Sequence, residues 1–284
     1  MTVTLALAGD TMLGRGVARA LATTPPGALV APEVAAAMGQ ADLVVLNLEC
    51  CVSERGRRWE APGKPFFFRA PARAVELLAL LGTDCATLAN NHALDYGVDA
   101  LADTLDHLAA AGIATVGAGS DLDQARRPAM LTAGGLRVAV LGVTDHPADF
   151  AAGPGRPGVA FADLAHQVPG WLAELVREAG AEADITLVTP HWGPNMTAAP
   201  VRHVRRAAGA LVDAGATRSS GGVVARVRAT LRPSMVSPAS ASVTVIARSG
   251  LPGSGCHGLR PAGRSRRGSA GRRPPAGRLA CGRR

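Results

Sequence analysis

Up to about Gly215 the chain alternates short apolar runs with longer runs of helical spacing. The stretches "VTLALAG", "DLVVLNL", "TDCATLA", "IATVGAG" and "ADITLVTP" are apolar, short and bounded by turn residues, which predicts strands. In "GVDALADTLDHLAAAG", Val98, Leu101, Leu105 and Leu108 recur at helical spacing and a glycine stands near the end. "DLAHQVPGWLAELVREAG" reads as mainly helix, with Pro169 as its start or a kink, and "VRHVRRAAGALVDAG" as another helix. "AMLTAGGLRVAVLGV" reads as a hairpin, because Gly134 and Gly135 supply the positive φ angles that a two-residue loop demands. Strands alternating with helices predict an α/β fold with a largely parallel sheet, made mixed by the hairpin.

Two stretches break the alternation. Residues 50–70, "CCVSERGRRWEAPGKPFFFRA", read as a long polar loop ending in an aromatic triplet. Such a loop is either a binding or lid segment, or an insertion that Phe66–Phe68 pin to the core. From Arg218 onward no convincing period remains, and "SVTVIA" is the one strand-like run. Gly, Ser, Pro and Arg dominate this tail, which reads as disordered.

Charge sharpens the division. The 284 residues carry a net +8, a value that by itself suggests a nucleic-acid or anionic-membrane partner. Residues 218–284 hold 14 Arg and no Lys, Asp or Glu. Residues 1–217 hold the other 16 basic residues against all 22 acidic ones, a net of −6. The globular part is therefore mildly acidic, and a nucleic-acid partner is expected only through the tail. Five Cys without a CxxC pair exclude a disulfide framework. "MTVTLALAGD" lacks a basic leader region and reads as a first strand rather than a signal peptide. With no apolar run of about 18 residues, the chain reads as cytoplasmic.

Four predicted strands end in polar residues: "LALAGD" at Asp10, "VVLNLE" at Glu49, "ATLANNH" at His92 and "TLVTPH" at His191. Ligands of α/β sheets bind outside the carboxyl ends of the strands. Carboxylate, imidazole and amide oxygen are the donors of a divalent metal site, with imidazole favouring zinc, manganese or iron. A single such histidine is usually structural; four polar strand ends in one chain point to a site. "AGDTMLGRG" has neither the P-loop nor the dinucleotide-binding pattern, and "GPGRPG" is a plain turn. Asp145 and His146 in "GVTDHPADF" also follow a strand and are secondary candidates, a structural turn being the other reading.

The ordered motifs "AGDTMLGRG", "VLNLECCVSERG", "GKPFFFRA", "LANNHALDYG", "GIATVGAG" and "VTPHWGPN" closely resemble the CapA family of poly-γ-glutamate capsule synthesis proteins. These are similar to calcineurin-like metallophosphoesterases. The resemblance covers roughly residues 3–217. It implies a four-layer α/β/β/α sandwich with a site at the strand ends. It further implies Asp10, Glu49, Asn91 and His191 as metal ligands, His92 as general acid or phosphate contact, and two divalent metals (Mn, Fe or Zn) in an intact member. Asn90 and Asp95 belong to the same motif and are expected to orient it. Met12 stands where phosphoesterases often have a metal histidine. The implied chemistry is metal-assisted hydrolysis or transfer on an anionic polymer or a phosphate or carboxylate substrate, with Arg69 as a candidate clamp or a solvated surface residue.

The resemblance also predicts a strand and a Gly-His-x-x-His motif after "LVDAGAT", where the chain reads "RSSGGVVARVRATLRPSMVS". The only later histidine is His257. The composition changes at the same point, which suggests a frameshift. Back-translated with GC-rich codons and read from the third base of the Arg228 codon, Ala229–Val236 permit Gly-His-Ser-Ala-x-Val-His-Gly, though not His at the fifth position. The expectation is a domain incomplete at its C-terminal end, with an inactive site or a non-catalytic polymer- or partner-binding role. The rival account is a genuine basic tail that binds nucleic acid or acidic polymer through counterion release.

Overall fold

The computed structural model describes residues 3–60, 63–194, 197, 199–216 and 226–227. The chain begins with strand β1 (Thr4–Thr11), helices α1 (Arg15–Thr23) and α2 (Pro32–Met38), and strand β2 (Leu43–Leu48). Short strands β3 (Cys51–Val52) and β4 (Arg69–Ala70) bracket a loop. Helix α3 (Ala74–Leu80), strand β5 (Cys85–Thr87), helix α4 (Gly97–Ala110), strands β6 (Ala114–Val116) and β7 (Ala118–Gly119), and helix α5 (Leu122–Arg126) follow. The second half holds β8 (Ala129–Ala133), β9 (Leu136–Thr144), β10 (Gly158–Val159), α6 (Gly170–Glu182), β11 (Ile185–His191), α7 (Arg202–Asp213) and β12 (Arg226–Val227). All the described residues belong to one unit, Met1–Pro252.

The main sheet has the order β12-β1-β2-β5-β6 and every pairing in it is parallel. β2 is buried at all six positions, which is why "LVVLNL" is a continuous apolar run and not an alternating one. A second sheet, β11-β9-β8, is mixed: β9 pairs parallel with β11 and antiparallel with β8. The β8–β9 hairpin turns at Gly134 and Gly135, with φ of 54° and 84°, as the sequence predicts.

Three apolar clusters fix these elements. Leu46 and Leu48 of the main sheet, with Leu88 just past β5, pack with Leu21, Leu78, Leu101 and Leu108 from α1, α3 and α4. Leu5, Leu43, Val45 and Val116 pack with Val138, Val140, Ile185 and Leu187 of the second sheet. Leu141, Val143 and Val188 pack with Leu172, Val176, Val204 and Leu211 from α6 and α7. Among the described residues no helix is long and apolar enough to cross a membrane.

Several elements differ from the sequence reading. Helix α6 begins only at Gly170, so "DLAHQVP" is not helical; Pro169 takes the first of its two expected roles, the start, because a proline restricts the residue before it to extended backbone. "IATVGAG" is two strands, not one. Gly117, with φ of 82°, turns the chain from β6 in the main sheet to β7, which pairs antiparallel with β10. A Cβ there would lie 2.5 Å from the Ala89 Cβ, so only glycine fits the crossing. Residues 50–70 are not all loop, since β3 and β4 pair in parallel and close the excursion between them. Within the stretch read as tail, Arg226 and Val227 pair with Thr4 and Leu5 at the edge of β1. "SVTVIA" and the back-translated segment Ala229–Val236 lie outside the described residues.

Candidate metal centre

The pairing of β1 with β2 slips by one residue between Ala8 and Asp10. The irregularity sets Asp10 opposite Asn47 at the carboxyl end of both strands. Asn47 Nδ2 donates to Asp10 Oδ1 at 2.7 Å, and Asn47 Oδ1 accepts from Asn90 Nδ2 at 2.9 Å. Asn90 also donates to the Leu48 carbonyl and accepts from the His92 backbone N–H, at 2.9 and 3.0 Å. The turn after β5 is thereby locked to the end of β2, and Glu49, just past β2, is tied back to β1 through its N–H to the Thr11 carbonyl.

His191 is the last residue of β11 in the second sheet. Its Nδ1 lies 3.6 Å from Asp10 Oδ1 and its Nε2 lies 2.8 Å from Asn91 Oδ1. Asp10, Glu49 and His191 each offer one ligand atom within 4.8 Å of the other two. The two sheets therefore bring together all four residues predicted as ligands.

Burial sets the electrostatics. The Asp10 and Glu49 side chains are 5% and 8% exposed. Burial first, then the charges of Asp10 and Asp95, pushes the Glu49 carboxyl up to about 8, against a lowering by Lys64. Burial lowers the His92 value, opposed by the hydrogen bond and charge of Asp95. The His92 Nδ1 lies 2.6 Å from Asp95 Oδ2, and its Nε2 lies 3.8 Å from Glu49 Oε1. Two buried carboxylates beside an imidazole and an amide oxygen are a poor arrangement without a cation and a good one with it. The donor set fits a divalent transition metal.

The secondary candidates fall in different places. Asp95 is fully buried behind His92. Asp145 follows β9 and accepts from His146 Nδ1 at 2.5 Å and the Gly193 backbone N–H at 3.0 Å, with His203 Nε2 at 3.4 Å. Burial raises the Asp145 value, but those hydrogen bonds outweigh it and bring it below the usual carboxylate range. The His146 ring lies 5.4 Å from that of His191, so this cluster borders the centre. The Arg69 guanidinium lies 4.1 Å over the Tyr96 ring and donates to the Arg55 carbonyl. The Met12 sulfur accepts from the Gly14 N–H.

Four residues of the region escape the sequence reading: Asn47, Lys64, Phe68 and His203. Asn47 carried a signal, being a polar residue inside an otherwise apolar strand. Lys64 carried a stronger one, as the single lysine of the chain. Phe68 stacks on the His92 ring with centroids 4.0 Å apart, a contact that no local pattern announces.

Residues 4–222 match the family model described as "Bacterial capsule synthesis protein PGA_cap". The chain is 37% identical over 185 residues to a probable polyglutamine synthesis accessory protein of Mycobacterium tuberculosis, covering 61% of this chain and 47% of that one. It is 33% identical over 211 residues to the PGA biosynthesis protein CapA of Bacillus subtilis, covering 73% and 53%. It is 29% identical over 220 residues to the capsule biosynthesis protein CapA of Bacillus anthracis, covering 75% and 52%. The chain thus spans about half the length of the curated relatives it matches. A solved structure of a hypothetical protein from Thermus thermophilus aligns with a TM-score of 0.33 at 18% identity, over 66% of this chain and 57% of that one, too loosely to bear on the fold.

Proposed function

The chain belongs to the CapA family of bacterial capsule synthesis proteins, and from that premise we propose a metal-dependent, hydrolase-type centre serving poly-γ-glutamate or capsule biosynthesis. The role in capsule assembly is supported by the names of the relatives. The chemistry rests on one observation: Asp10, Glu49 and His191 set ligand atoms within 4.8 Å of one another at adjoining ends of two sheets. Asp10, Glu49, Asn91 and His191 would hold the ion. The chemistry such an ion would supply there is polarisation of a phosphoryl or carbonyl oxygen and a lowered pKa for water.

The protein's own groups prepare the proton transfer. Asp95 accepts from Nδ1 of His92, which leaves Nε2 of the neutral ring as the acceptor facing Glu49. Nε2, protonated from solvent, gives that proton to the leaving oxygen as general acid, while the proton lost by the attacking water passes to solvent. Asn47 and Asn90 hold Asp10 and the His92 backbone in place by hydrogen bonds. The substrate is anionic, a phosphate- or carboxylate-bearing polymer or its precursor. The three apolar clusters support a four-layer sandwich of helices, sheet, sheet and helices. The change of composition after residue 217 supports a domain boundary there, with the short β12 pair beyond it at the sheet edge.

The test is metal analysis of the purified full chain together with phosphodiester and peptide turnover. Bound metal with turnover abolished by His92→Ala is the expected result. Metal-free protein that gains neither metal nor turnover on reconstitution would overturn the reading. A second reading, a polymer- or partner-binding protein on the same scaffold, is favoured by one observation: no Gly-His-x-x-His follows Ala216. Metal retained without turnover would select it. Sequencing the gene tests the frameshift, which requires the family pattern to continue in another frame.

A further inference from the structure

The loop closed by β3 and β4 converges on Asp95 and His92. The Lys64 Nζ lies 3.0 Å from Asp95 Oδ1 and donates to the Asn91 carbonyl at 2.6 Å. Asp95 Oδ2 accepts from the Phe68 backbone N–H at 2.6 Å and from His92 Nδ1 at 2.6 Å. Phe68 then covers the His92 ring face. Asp95 Oδ1 receives no hydrogen bond among the described residues, so the Lys64 ammonium is the charge that compensates it.

Lys64 is an unusual residue here. Of the 30 lysine and arginine residues of the chain, all the others are arginine. Its side chain is 13% exposed, and its ammonium lies 5.4 Å from the centroid of Phe150 and 5.8 Å from that of Phe67. A buried ion pair contributes little net stability, because desolvation offsets the attraction. A compact ammonium with three donors can serve a carboxylate and a carbonyl at once, where a planar guanidinium would need a wider space.

We propose that Lys64 is a positioning residue for His92: by holding Asp95 and the Asn91 carbonyl together, it fixes the carboxylate that keeps the proton on His92 Nδ1 and turns Nε2 toward Glu49. Its effect on turnover rests on the hydrolase reading above; the positioning itself does not.

The experiment uses the full chain labelled with ¹⁵N-histidine. The His92 Nδ1–H signal, identified by its loss in His92→Gln, exchanges slowly with water in the wild type. Lys64→Met speeds that exchange at least about 10-fold, and Lys64→Arg restores part of the protection. Wild-type exchange in Lys64→Met overturns the proposal. Should Lys64→Met fail to fold, the double variant Lys64→Met/Asp95→Asn decides. Recovery of folding supports the pairing, and no recovery overturns it. Turnover of a chromogenic phosphodiester is followed in parallel, with kcat expected to fall about 10–100-fold in Lys64→Met at unchanged KM. Unchanged kcat there counts against Lys64. An inactive wild type sinks the hydrolase reading instead and leaves the exchange measurement to decide Lys64.

Discussion

Asn47 and Asp10 are joined across the seam between two parallel strands, amide to carboxylate, at 2.7 Å. The contact exists because β1 and β2 slip register one residue earlier. Asn47 is also the acceptor for Asn90, so one buried amide orients a ligand candidate from β1 and the turn that carries Asn91 and His92. Asn47→Leu should therefore weaken Mn²⁺ or Zn²⁺ binding about 10–100-fold, as loss of a ligand's hydrogen-bond partner does elsewhere. Isothermal titration against metal-free protein measures it; unaltered affinity would show that Asp10 needs no such support.

Glu49 gives a pH prediction with a definite sign. Its folded value lies near 8 against an ordinary 4.5, so the metal-free fold favours the protonated carboxyl. The stabilisation is complete below pH 4.5 and is lost as pH rises through 8. His92 acts in the opposite sense, since its lowered value costs stability as pH falls below 6.5. The two slopes oppose each other just below pH 6.5, so the net decline shows above it. Denaturant midpoints in chelator should fall from pH 6.5 to 9, and Glu49→Gln should flatten that fall. Added metal should raise the melting temperature more at pH 8 than at pH 6, because binding must displace the Glu49 proton.

Two glycines separate backbone strain from crowding. Gly117 and Gly135 have φ of 82° and 84°, but a Cβ at Gly117 meets Ala89 at 2.5 Å while one at Gly135 meets nothing within 4 Å. Gly135→Ala should cost about 1 kcal/mol, the backbone term alone. Gly117→Ala should cost about 1–3 kcal/mol more, because Ala89 and the turn beside it must move. Urea unfolding of both variants checks the difference, and equal losses would contradict it.

Leu101 and Leu80 test the core assignment. Leu101 is buried against the main sheet, whereas Leu80 is 51% exposed. Leu101→Ala should cost about 2–5 kcal/mol and Leu80→Ala less than about 0.5 kcal/mol. Thermal melts of the two variants suffice.

Periodicity made the main elements legible. "DLVVLNL" and "ADITLVTP" are strands, and the Leu101–Leu108 spacing is the buried face of α4. That helix ends as its glycine suggested, with Ile113 N–H on the Leu108 carbonyl and Gly112 N–H on the Ala109 carbonyl. Legibility failed where long-range contacts decide. The break at Gly117 depends on Ala89, and the β3–β4 pair joins residues 18 apart in sequence. At the site, polar strand ends pointed to Asp10, Glu49, Asn91 and His191, which do converge. The roles of Asn47 and Lys64 are not legible locally, because each is fixed by a partner about 40 and 30 residues away. Arg69 lies over the Tyr96 ring, a contact between residues 27 apart that no local pattern announces.

His191 reaches the cluster from the second sheet, while Asp10, Glu49 and Asn91 come from the first. An ion gripped by all four would act as a rivet between two plates whose seam is packed by the apolar side chains of Val45, Val140 and their neighbours. Occupancy would then be felt as stiffness far from the chemistry. Amides of β9 and β11 should exchange more slowly in the metal-loaded protein, and the seam between the plates should be the first place to breathe when the rivet is drawn.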